Sequence, residues 1–338
     1  MIVLRYLLFP FAILYGIITS ARNLFFDIGI LKSYSFPIPI IAVGNLSVGG
    51  TGKTPQIEYL IRLLSPQYKI ATLSRGYKRK SSGFVLADAA STAEILGDEP
   101  YQMYLKFPEI HVAVDADRKN GIEKLLAMKE APEVILLDDA FQHRRVRAGF
   151  YILLTTYEDL YCDDLILPTG TLRESRSGAK RADVIIVTKC PPAMTQVDKE
   201  KVIEKISLDI PVYFSSIAYD ETVYNAMETK NVEAVRKQSK LLVAGIAKPQ
   251  PFFHYLQSGS DAELEYADHH HFSESDVKTI QEKAGDRVII TTEKDFVRLK
   301  NSNLKSLFYL PIKSSFLSKA DDFDQRILKY VSTKNPRI

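Results

Sequence analysis

The stretch that decides the fold is AVGNLSVGGTGKTP, residues 42–55, together with the segments on either side of it. The short apolar run 38–43 leads into it, and the amphipathic segment KTPQIEYLIRLL, residues 53–64, follows. A short buried strand that ends in glycine and leads through a loop into a helix is typical of the opening of a parallel α/β unit. We therefore predict a strand, a glycine-rich loop and a helix over residues 38–64.

The glycine-rich loop has the features of a phosphate-binding loop. Its glycines permit the backbone conformations that aim consecutive N–H groups at phosphate oxygens, at a helix N-terminus that also favours an anion. In the pattern G-x-x-x-x-G-K-[ST], the lysine neutralises the β- and γ-phosphate oxygens and the hydroxyl binds Mg²⁺. The chain departs from this pattern at the first position, where Ser47 replaces glycine. The nucleotide-binding residues that we predict are Ser47, Val48, Gly49, Gly50, Thr51, Gly52, Lys53 and Thr54.

A second predicted strand supplies carboxylates for a metal ion. The run VILLDD ends in Asp138 and Asp139, which match the hydrophobic strand with a terminal aspartate that accompanies such loops. Alone, an acidic strand end is usually a solvated edge or a helix cap, so this prediction depends on the loop. We predict that Thr54, Asp138 and Asp139 bind Mg²⁺. ATP is preferred over GTP because residues 188–191, TKCP, lack both discriminating residues of the guanine motif N-K-x-D.

The composition describes a globular protein long enough for two ordinary domains. The 338 residues are 46% hydrophobic, with 44 basic and 41 acidic side chains and a net charge of +3. Binding to nucleic acid usually needs a concentrated basic face, so no nucleic-acid partner is expected. Cys162 and Cys190 have neither metal-motif nor disulfide-framework spacing, which fits a reducing compartment.

The N-terminus is strongly apolar. Residues 2–19 carry one charge, Arg5, and the uncharged run 6–21 is slightly shorter than the roughly 20 residues that a bilayer-spanning helix needs. The amphipathic continuation ARNLFFDIGILK and the scattered aromatic residues suit the headgroup boundary of a membrane. We expect residues 1–34 to form a membrane-associated helix that lies in the interface or just spans it, with a buried core helix as the alternative.

Further apolar runs of strand length recur along the chain, separated by helical patterns. They lie at residues 70–73, 111–114, 134–137, 151–154 and 184–187, and, beyond a polar stretch, at 241–244, 263–266, 288–291 and 307–310. Such alternation predicts a mostly parallel sheet with helices on both faces, here a P-loop NTPase-like α/β fold. The domains that we predict are a P-loop kinase domain at 35–225, a linker at 226–240 and a smaller C-terminal α/β domain at 241–338.

Two segments that follow strands are candidates for binding an acceptor. SRGYKRK, residues 74–80, places Arg75 and Tyr77 in a dense basic patch, which is either a solvated loop or a site for an anionic acceptor or membrane surface. In GDEP, residues 97–100, Asp98 is either a helix cap or the carboxylate that orients the acceptor hydroxyl of a kinase. Both segments belong at the carboxyl edge of the sheet, where ligands bind.

Three consecutive histidines follow Asp268 in the sequence DHHHF. Only His269 and His271 would share a side of an extended segment, and no further soft ligand lies nearby, so a zinc site is disfavoured. An imidazole that orients a catalytic carboxylate is the preferred interpretation. The segment TTEKD, residues 291–295, is typical of a helix cap followed by a surface helix.

The motifs together resemble the tetraacyldisaccharide 4'-kinase family, which acts in lipid A biosynthesis. After the apolar helix, the chain contains in the family's order VGNLSVGGTGKTP, LSRGYKRK, GDEP, LLDDAFQHRRVRAG, LPTGTLRE, AGIAKPQPFF, ADHHHFS and TTEKDFVRL. Each motif is weak alone, but the ordered set is specific. The resemblance implies transfer of the ATP γ-phosphate to the 4'-hydroxyl of a tetraacyldisaccharide 1-phosphate at the cytoplasmic face of the bacterial inner membrane, by two α/β lobes joined by a short β linker.

The resemblance also implies roles for individual residues. Asp98 would be the base that faces the acceptor hydroxyl, and His269 would hold or tune it, although two more imidazoles follow. We further expect a monomer in which closure of the lobes completes the site. The residues for which it implies contacts to the lipid disaccharide or the nucleotide are Arg75, Tyr77, Gln142, His143, Arg173 and Glu174.

The main alternative is a membrane-associated regulatory P-loop ATPase of the partition or site-selection type. Those proteins have the loop K-G-G-x-G-K-[ST], and Val48 occupies the place of its first lysine here, which argues against them. A metal-delivery nucleotidase and a nucleotide-binding scaffold without activity are further alternatives.

Overall fold

The structure, a computed structural model, describes residues 8–225, 227–268 and 270–334. Its strands are β1 (Ile40–Asn45), β2 (Ile70–Ser74), β3 (Val85–Leu86), β4 (His111–Val114), β5 (Val134–Asp138), β6 (Phe150–Thr156), β7 (Val184–Thr188), β8 (Val212–Tyr219), β9 (Thr222–Tyr224), β10 (Thr229–Asn231), β11 (Lys240–Ala244), β12 (Ala262–Glu265), β13 (Val288–Thr292), β14 (Leu307–Leu310) and β15 (Ile312–Phe316).

The helices cover both faces of the sheets. The α-helices are α1 (Phe9–Asp27), α2 (Lys53–Leu64), α3 (Ala93–Leu96), α4 (Asp98–Lys106), α5 (Arg118–Leu126), α6 (Gln196–Ile206), α7 (Val232–Arg236), α8 (Gln250–Leu256), α9 (Glu274–Ala284), α10 (Glu293–Leu299) and α11 (Ala320–Lys334), and a 3₁₀ helix spans Arg176–Arg181.

The larger sheet has nine strands in the order β15-β8-β7-β6-β1-β5-β2-β4-β3. Neighbours from β8 to β4 are parallel, and only the two edge strands are antiparallel. The chain proceeds from β1 towards β2 and β4 on one side and later towards β6, β7 and β8 on the other. This reversal at β1 opens a crevice at the carboxyl ends of the strands, where ligands bind in such sheets. We call this sheet with its helices the first lobe.

The opening unit of the first lobe matches its prediction. All six residues of β1 are buried, as expected for a central strand. Gly52 has a φ of 86° at the end of the loop, and α2 begins at Lys53. The helix then buries residues spaced at i, i+3, i+4 and i+7 against the sheet, namely Ile57, Leu60, Ile61 and Leu64. The predicted fold class is confirmed, since a mostly parallel sheet carries helices on both faces.

A six-stranded sheet in the order β10-β9-β14-β13-β11-β12 forms the second lobe with α7, α8, α9 and α10. Its four strands β14, β13, β11 and β12 are parallel to one another, whereas β9 pairs antiparallel with both β14 and β10. Its core lies between the sheet and helices on either side, with Leu242, Ile290 and Phe308 fully buried. The chain passes between the lobes twice, from β8 to β9 and from β14 to β15, and Asp220 N donates to Pro311 O (3.0 Å) at this crossing.

Two expected domain limits differ from the topology. The segment 226–240, expected as a linker, holds β10 and α7, and buries Val232 and Val235 in the core of the second lobe. The C-terminal part of the expected domain 241–338 belongs to the first lobe instead. Strand β15 pairs with β8, and α11 buries Phe323 in the core of the first lobe beside α2. Local polarity and chain order do not reveal such returns, which depend on pairing between distant segments.

Candidate active site

The glycine-rich loop at the carboxyl end of β1 is held by a second segment of chain. Ser47 forms an antiparallel bridge with Leu172, and Val48 N donates to Thr171 O at 2.8 Å. Gly49 and Gly52 have left-handed φ values of 112° and 86°, whereas Ser47 does not require positive φ. Serine is therefore compatible with the first position of the loop, and the glycines are kept where the backbone needs them.

Charged groups gather around Lys53 at the start of α2. Its ammonium lies 3.7 Å from Asp139 Oδ1 and 3.4 Å from Asn45 Oδ1. Arg173 forks onto the same aspartate, with Nη1 3.1 Å from Oδ2 and Nη2 2.8 Å from Oδ1, and also donates to the Asn45 carbonyl. Burial opposes ionisation of Asp139, but the Arg173 hydrogen bonds and the Lys53 charge outweigh it and lower the pKa of this carboxyl. Lysine, arginine and aspartate thus form one connected cluster beside the loop.

Asp138 lies deeper than its neighbour. It is 8% exposed, and its Oδ1 atom has no hydrogen-bond partner within the described residues. Burial raises the pKa of Asp138 to about 6, despite the attraction of Lys53. Arg118 Nη2 donates to the backbone carbonyl of Asp138 at 3.2 Å. An unpartnered carboxylate oxygen beside a phosphate loop suits a divalent cation, which prefers oxygen ligands.

Glu174 lies inside the protein rather than in an open cleft. It is 2% exposed, and its oxygens accept from Asn23 Nδ2 (2.7 Å), Gln142 Nε2 (2.9 Å) and Arg181 Nη2 (2.8 Å). Gln142 also donates to the carbonyl of Asn45 at 2.9 Å. These bonds join the segments that carry the cluster, which is a supporting role. Gln142 Oε1 has no hydrogen-bond partner within the described residues, and the acceptor contacts expected of Glu174 and Gln142 stay predictions.

Asp98 begins α4, close to the second lobe. Its carboxylate is ion-paired with Arg298 of α10, and the next residue, Glu99, lies 3.8 Å from Lys294. The negative charge of Glu99 also contributes to the raised pKa of Asp138, after burial and the charges of Lys53 and Asp139. The predicted base therefore lies where the two lobes meet.

Comparison with known proteins identifies the family. A family model described as tetraacyldisaccharide-1-P 4'-kinase matches residues 4–332. The chain belongs to this family. A relative from Flavobacterium psychrophilum named tetraacyldisaccharide 4'-kinase is 62% identical over 335 residues, covering 98% of each chain. One of the same name from Bacteroides thetaiotaomicron is 45% identical over 358 residues, covering 97% of this chain and 94% of the relative.

A solved structure of the family has the same architecture. The crystal structure of LpxK from Aquifex aeolicus in complex with ATP superposes with a TM-score of 0.80 at 29% sequence identity, over 97% of this chain and 99% of that one. The resemblance inferred from the ordered motifs is thereby confirmed.

The histidines of the kinase family motif take different positions. His269 lies outside the described residues. His270 Nε2 contacts Asp276 Oδ2 at 3.0 Å, and its ring stacks on Tyr266 with centroids 4.7 Å apart, so this imidazole supports the start of α9. His271 is exposed. Within the described residues, neither His270 nor His271 forms a hydrogen bond or ion pair with Asp98, so the orienting role stays a prediction for His269.

The remaining residues predicted to contact the substrate are Arg75, Tyr77 and His143. Arg75 and Tyr77 are exposed, and Tyr77 shows 63% of its surface beyond the end of β2. His143 is half-buried, and burial together with the nearby Arg118 lowers its pKa to about 4. His143 is therefore neutral at physiological pH and suited to hydrogen bonding rather than to pairing with an anion.

Sequence reasoning missed several residues of this family site. Asn45 ends β1, and its side chain joins Lys53 to Arg173. Arg118 starts α5 and underlies Asp138, and Arg298 pairs with Asp98 from the other lobe. Asn45 lies within the quoted loop motif and Arg298 within TTEKDFVRL, so their positions in motifs were the sequence signal that could have identified them as site residues.

Proposed function

We propose that this chain is an ATP-dependent kinase that phosphorylates the 4'-hydroxyl of a tetraacyldisaccharide 1-phosphate, a lipid A precursor. The observation that carries the proposal is the cluster of Lys53, Asp138, Asp139 and Arg173 around a phosphate loop, in a chain of the tetraacyldisaccharide 4'-kinase family. A regulatory ATPase would not require a carboxylate for an acceptor hydroxyl, the role that we propose for Asp98 at the start of α4.

On the nucleotide side, the loop 47–54 would bind the phosphates of ATP through its backbone N–H groups, and Lys53 would neutralise the β- and γ-oxygens. Thr54 and Asp138 would hold Mg²⁺, which when bound shields the phosphate charge from an incoming hydroxyl. Both oxygens of Asp139 accept from Arg173 and each keeps a further lone pair, so Asp139 would join the metal site either beside this ion pair or after the pair opens. Arg173 would then be available to the transferred phosphoryl group.

On the acceptor side, Asp98 would orient the 4'-hydroxyl and receive its proton as the oxygen attacks the γ-phosphorus and the bond to the β-phosphate oxygen breaks. His269 would orient this carboxylate. Arg75 and Tyr77 are exposed beyond the end of β2 and would contact the anionic acceptor. Positioning and charge neutralisation account for most of the rate in such transfers, and closure of the lobes would exclude water.

The N-terminal helix fits a lipid substrate. In α1 only Ala12 is buried, and apolar side chains such as Phe11 (63%), Ile17 (60%) and Ile18 (58%) are exposed. By length and composition alone, α1 is long and apolar enough to cross a membrane. Its contacts with the site, Tyr15 Oη to Arg173 O (3.1 Å) among them, would place the acceptor site beside the bilayer. We propose attachment to the cytoplasmic face of the bacterial inner membrane, as a monomer.

The test is direct transfer. Purified protein is incubated with Mg²⁺-ATP and a tetraacyldisaccharide 1-phosphate in detergent micelles, and the product is examined by mass spectrometry for a second phosphate. We expect transfer by the wild type and at least a 100-fold lower kcat for Lys53→Ala and Asp98→Asn. Lys278→Ala, which removes an exposed lysine of α9, serves as the control with unchanged turnover. Wild-type protein that binds ATP but transfers no phosphate would exclude the kinase.

A further inference from the structure

Helices α4 and α10 lie side by side along the boundary between the lobes. Their buried contact includes Tyr101 of α4 and Val297 of α10, which belong to one hydrophobic cluster. Four polar contacts follow the same boundary, namely Asp98 with Arg298, Glu99 with Lys294, Tyr101 with Lys300 and Lys106 with Glu293. The helix that begins with the proposed base is therefore bound along its length by a helix of the other lobe.

Arg298 differs from the other three basic groups of this boundary because it contacts the Asp98 carboxylate itself. Its side chain is only 7% exposed. Nη2 donates to Asp98 Oδ2, while Nη1 lies 3.5 Å from Asp295 Oδ1 and 3.4 Å from the His270 carbonyl. A planar guanidinium held on two sides cannot rotate freely, so it fixes the carboxylate oxygen that it binds.

Asp295, which holds Arg298 from behind, is itself anchored to the second sheet. It is fully buried, and its Oδ2 accepts from Gly245 N (2.8 Å) at the end of β11 and from Thr292 Oγ1 (2.6 Å) at the end of β13. The contacts thus continue from two strands of the second lobe through Asp295 and Arg298 to the carboxylate of the first lobe.

We propose that Arg298 is a positioning residue for phosphoryl transfer, which sets the orientation of the Asp98 carboxylate towards the acceptor hydroxyl. The proposal rests on the function proposed above, in which Asp98 receives the hydroxyl proton. In-line transfer depends on how the hydroxyl is aimed, and displacement of a catalytic group by about 1 Å can lower turnover about 100-fold. Because Arg298 belongs to the second lobe, the base is correctly oriented only when the lobes are in contact.

The experiment compares Arg298→Met with a matched variant of the same helix boundary. Lys300→Met removes the contact with Tyr101, which lies on α4 but away from the carboxylate. Steady-state kcat and the KM for ATP and for the lipid acceptor are measured for both proteins, with thermal unfolding as the check on folding. Arg298→Lys tests rescue by a shorter cation, and Arg298→Met is also introduced into Asp98→Asn.

We expect kcat to fall about 10- to 100-fold in Arg298→Met, with the KM for ATP within about threefold of wild type. Arg298→Lys recovers part of this loss, because an ammonium can reach Asp98 but cannot also fork to Asp295. Lys300→Met keeps kcat within about twofold. In the Asp98→Asn background, Arg298→Met has no further effect, since a residue that acts through another loses its role with it.

Three results would overturn the positioning role: an unchanged kcat, an equal loss in Lys300→Met, or independent losses that multiply in the double variant. If Arg298→Met does not fold, Arg298→Lys decides the question, because the role requires a lowered kcat at normal thermal stability. A wild-type protein without transfer would overturn the kinase proposal itself, whereas wild-type transfer with an unaffected Arg298→Met variant would overturn this role alone.

Discussion

Replacing Glu293 by glutamine should make the protein more stable at alkaline pH. Glu293 begins α10 and is 7% exposed, facing Glu58 of α2 across the boundary between the lobes. Lys106 lies between the two carboxylates, with Nζ 2.8 Å from an oxygen of each. Arg62 and Gln102 also contact Glu58, at 3.0 and 3.2 Å. Two buried carboxylates thus share one partly exposed lysine.

The magnitude follows from the pKa of Glu293. Burial, and next the charge of Glu58, raise this pKa from 4.5 to about 7, although Lys106 opposes the change. Between these two values the folded protein binds more protons than the unfolded chain, so the free energy of unfolding falls as pH rises through 4.5 to 7 and levels off above. Raising the pKa from 4.5 to about 7 lowers the free energy of unfolding of the wild type by about 3 kcal/mol above pH 7, and the neutral isostere glutamine avoids this loss.

The assay is urea unfolding of wild type and Glu293→Gln at pH 5, 7 and 8.5 in one detergent. We expect the difference in unfolding free energy, variant minus wild type, to rise from near zero at pH 5 to about 3 kcal/mol at pH 8.5. Glu94→Gln is the control, because Glu94 pairs with Lys80 at an exposed site and its replacement should give a pH-independent difference. A Glu293→Gln variant that is less stable than wild type at pH 8.5 would refute the reasoning.

Three further outcomes are expected. Glu174→Gln should lower the free energy of unfolding by about 3 kcal/mol, because it removes the buried charge that pairs with Arg181. Normal thermal unfolding with a raised KM for the lipid would instead indicate direct contact with the acceptor. Lys240→Met should lower the free energy of unfolding in urea by about 3–5 kcal/mol, since it leaves the buried Asp261 carboxylate without its cationic partner at 2.7 Å. A loss below about 1 kcal/mol would contradict this. The His143 imidazole, with its pKa lowered to about 4 by burial, should show a constant NMR shift from pH 6 to 8, and a titration near 6.5 would contradict its burial.

The sequence predicted what local pattern specifies. The apolar run before the loop, the glycines and the amphipathic helix after it occupy consecutive positions, so β1, the loop and α2 could be placed within two residues. The same holds for Asp138 and Asp139, because the strand that carries them is a continuous apolar run. Strands β8 and β15 were missed, since each mixes serines with apolar residues and pairs with the other across about a hundred positions.

The part of the site that escaped prediction is the part made between distant residues. Whether Glu174 contacts an acceptor depends on Asn23 and Arg181, which bury it, and a polar loop sequence looks the same in either case. Asp98 and Arg298 are separated by 200 positions, and each begins or lies in a helix where a charged residue is ordinary. The order of the motifs assigned both segments to one family, but it could not predict that these two side chains are in contact. The phosphate-binding loop is one continuous stretch of chain, whereas the proposed orientation of Asp98 depends on this contact between lobes, which no local pattern specifies.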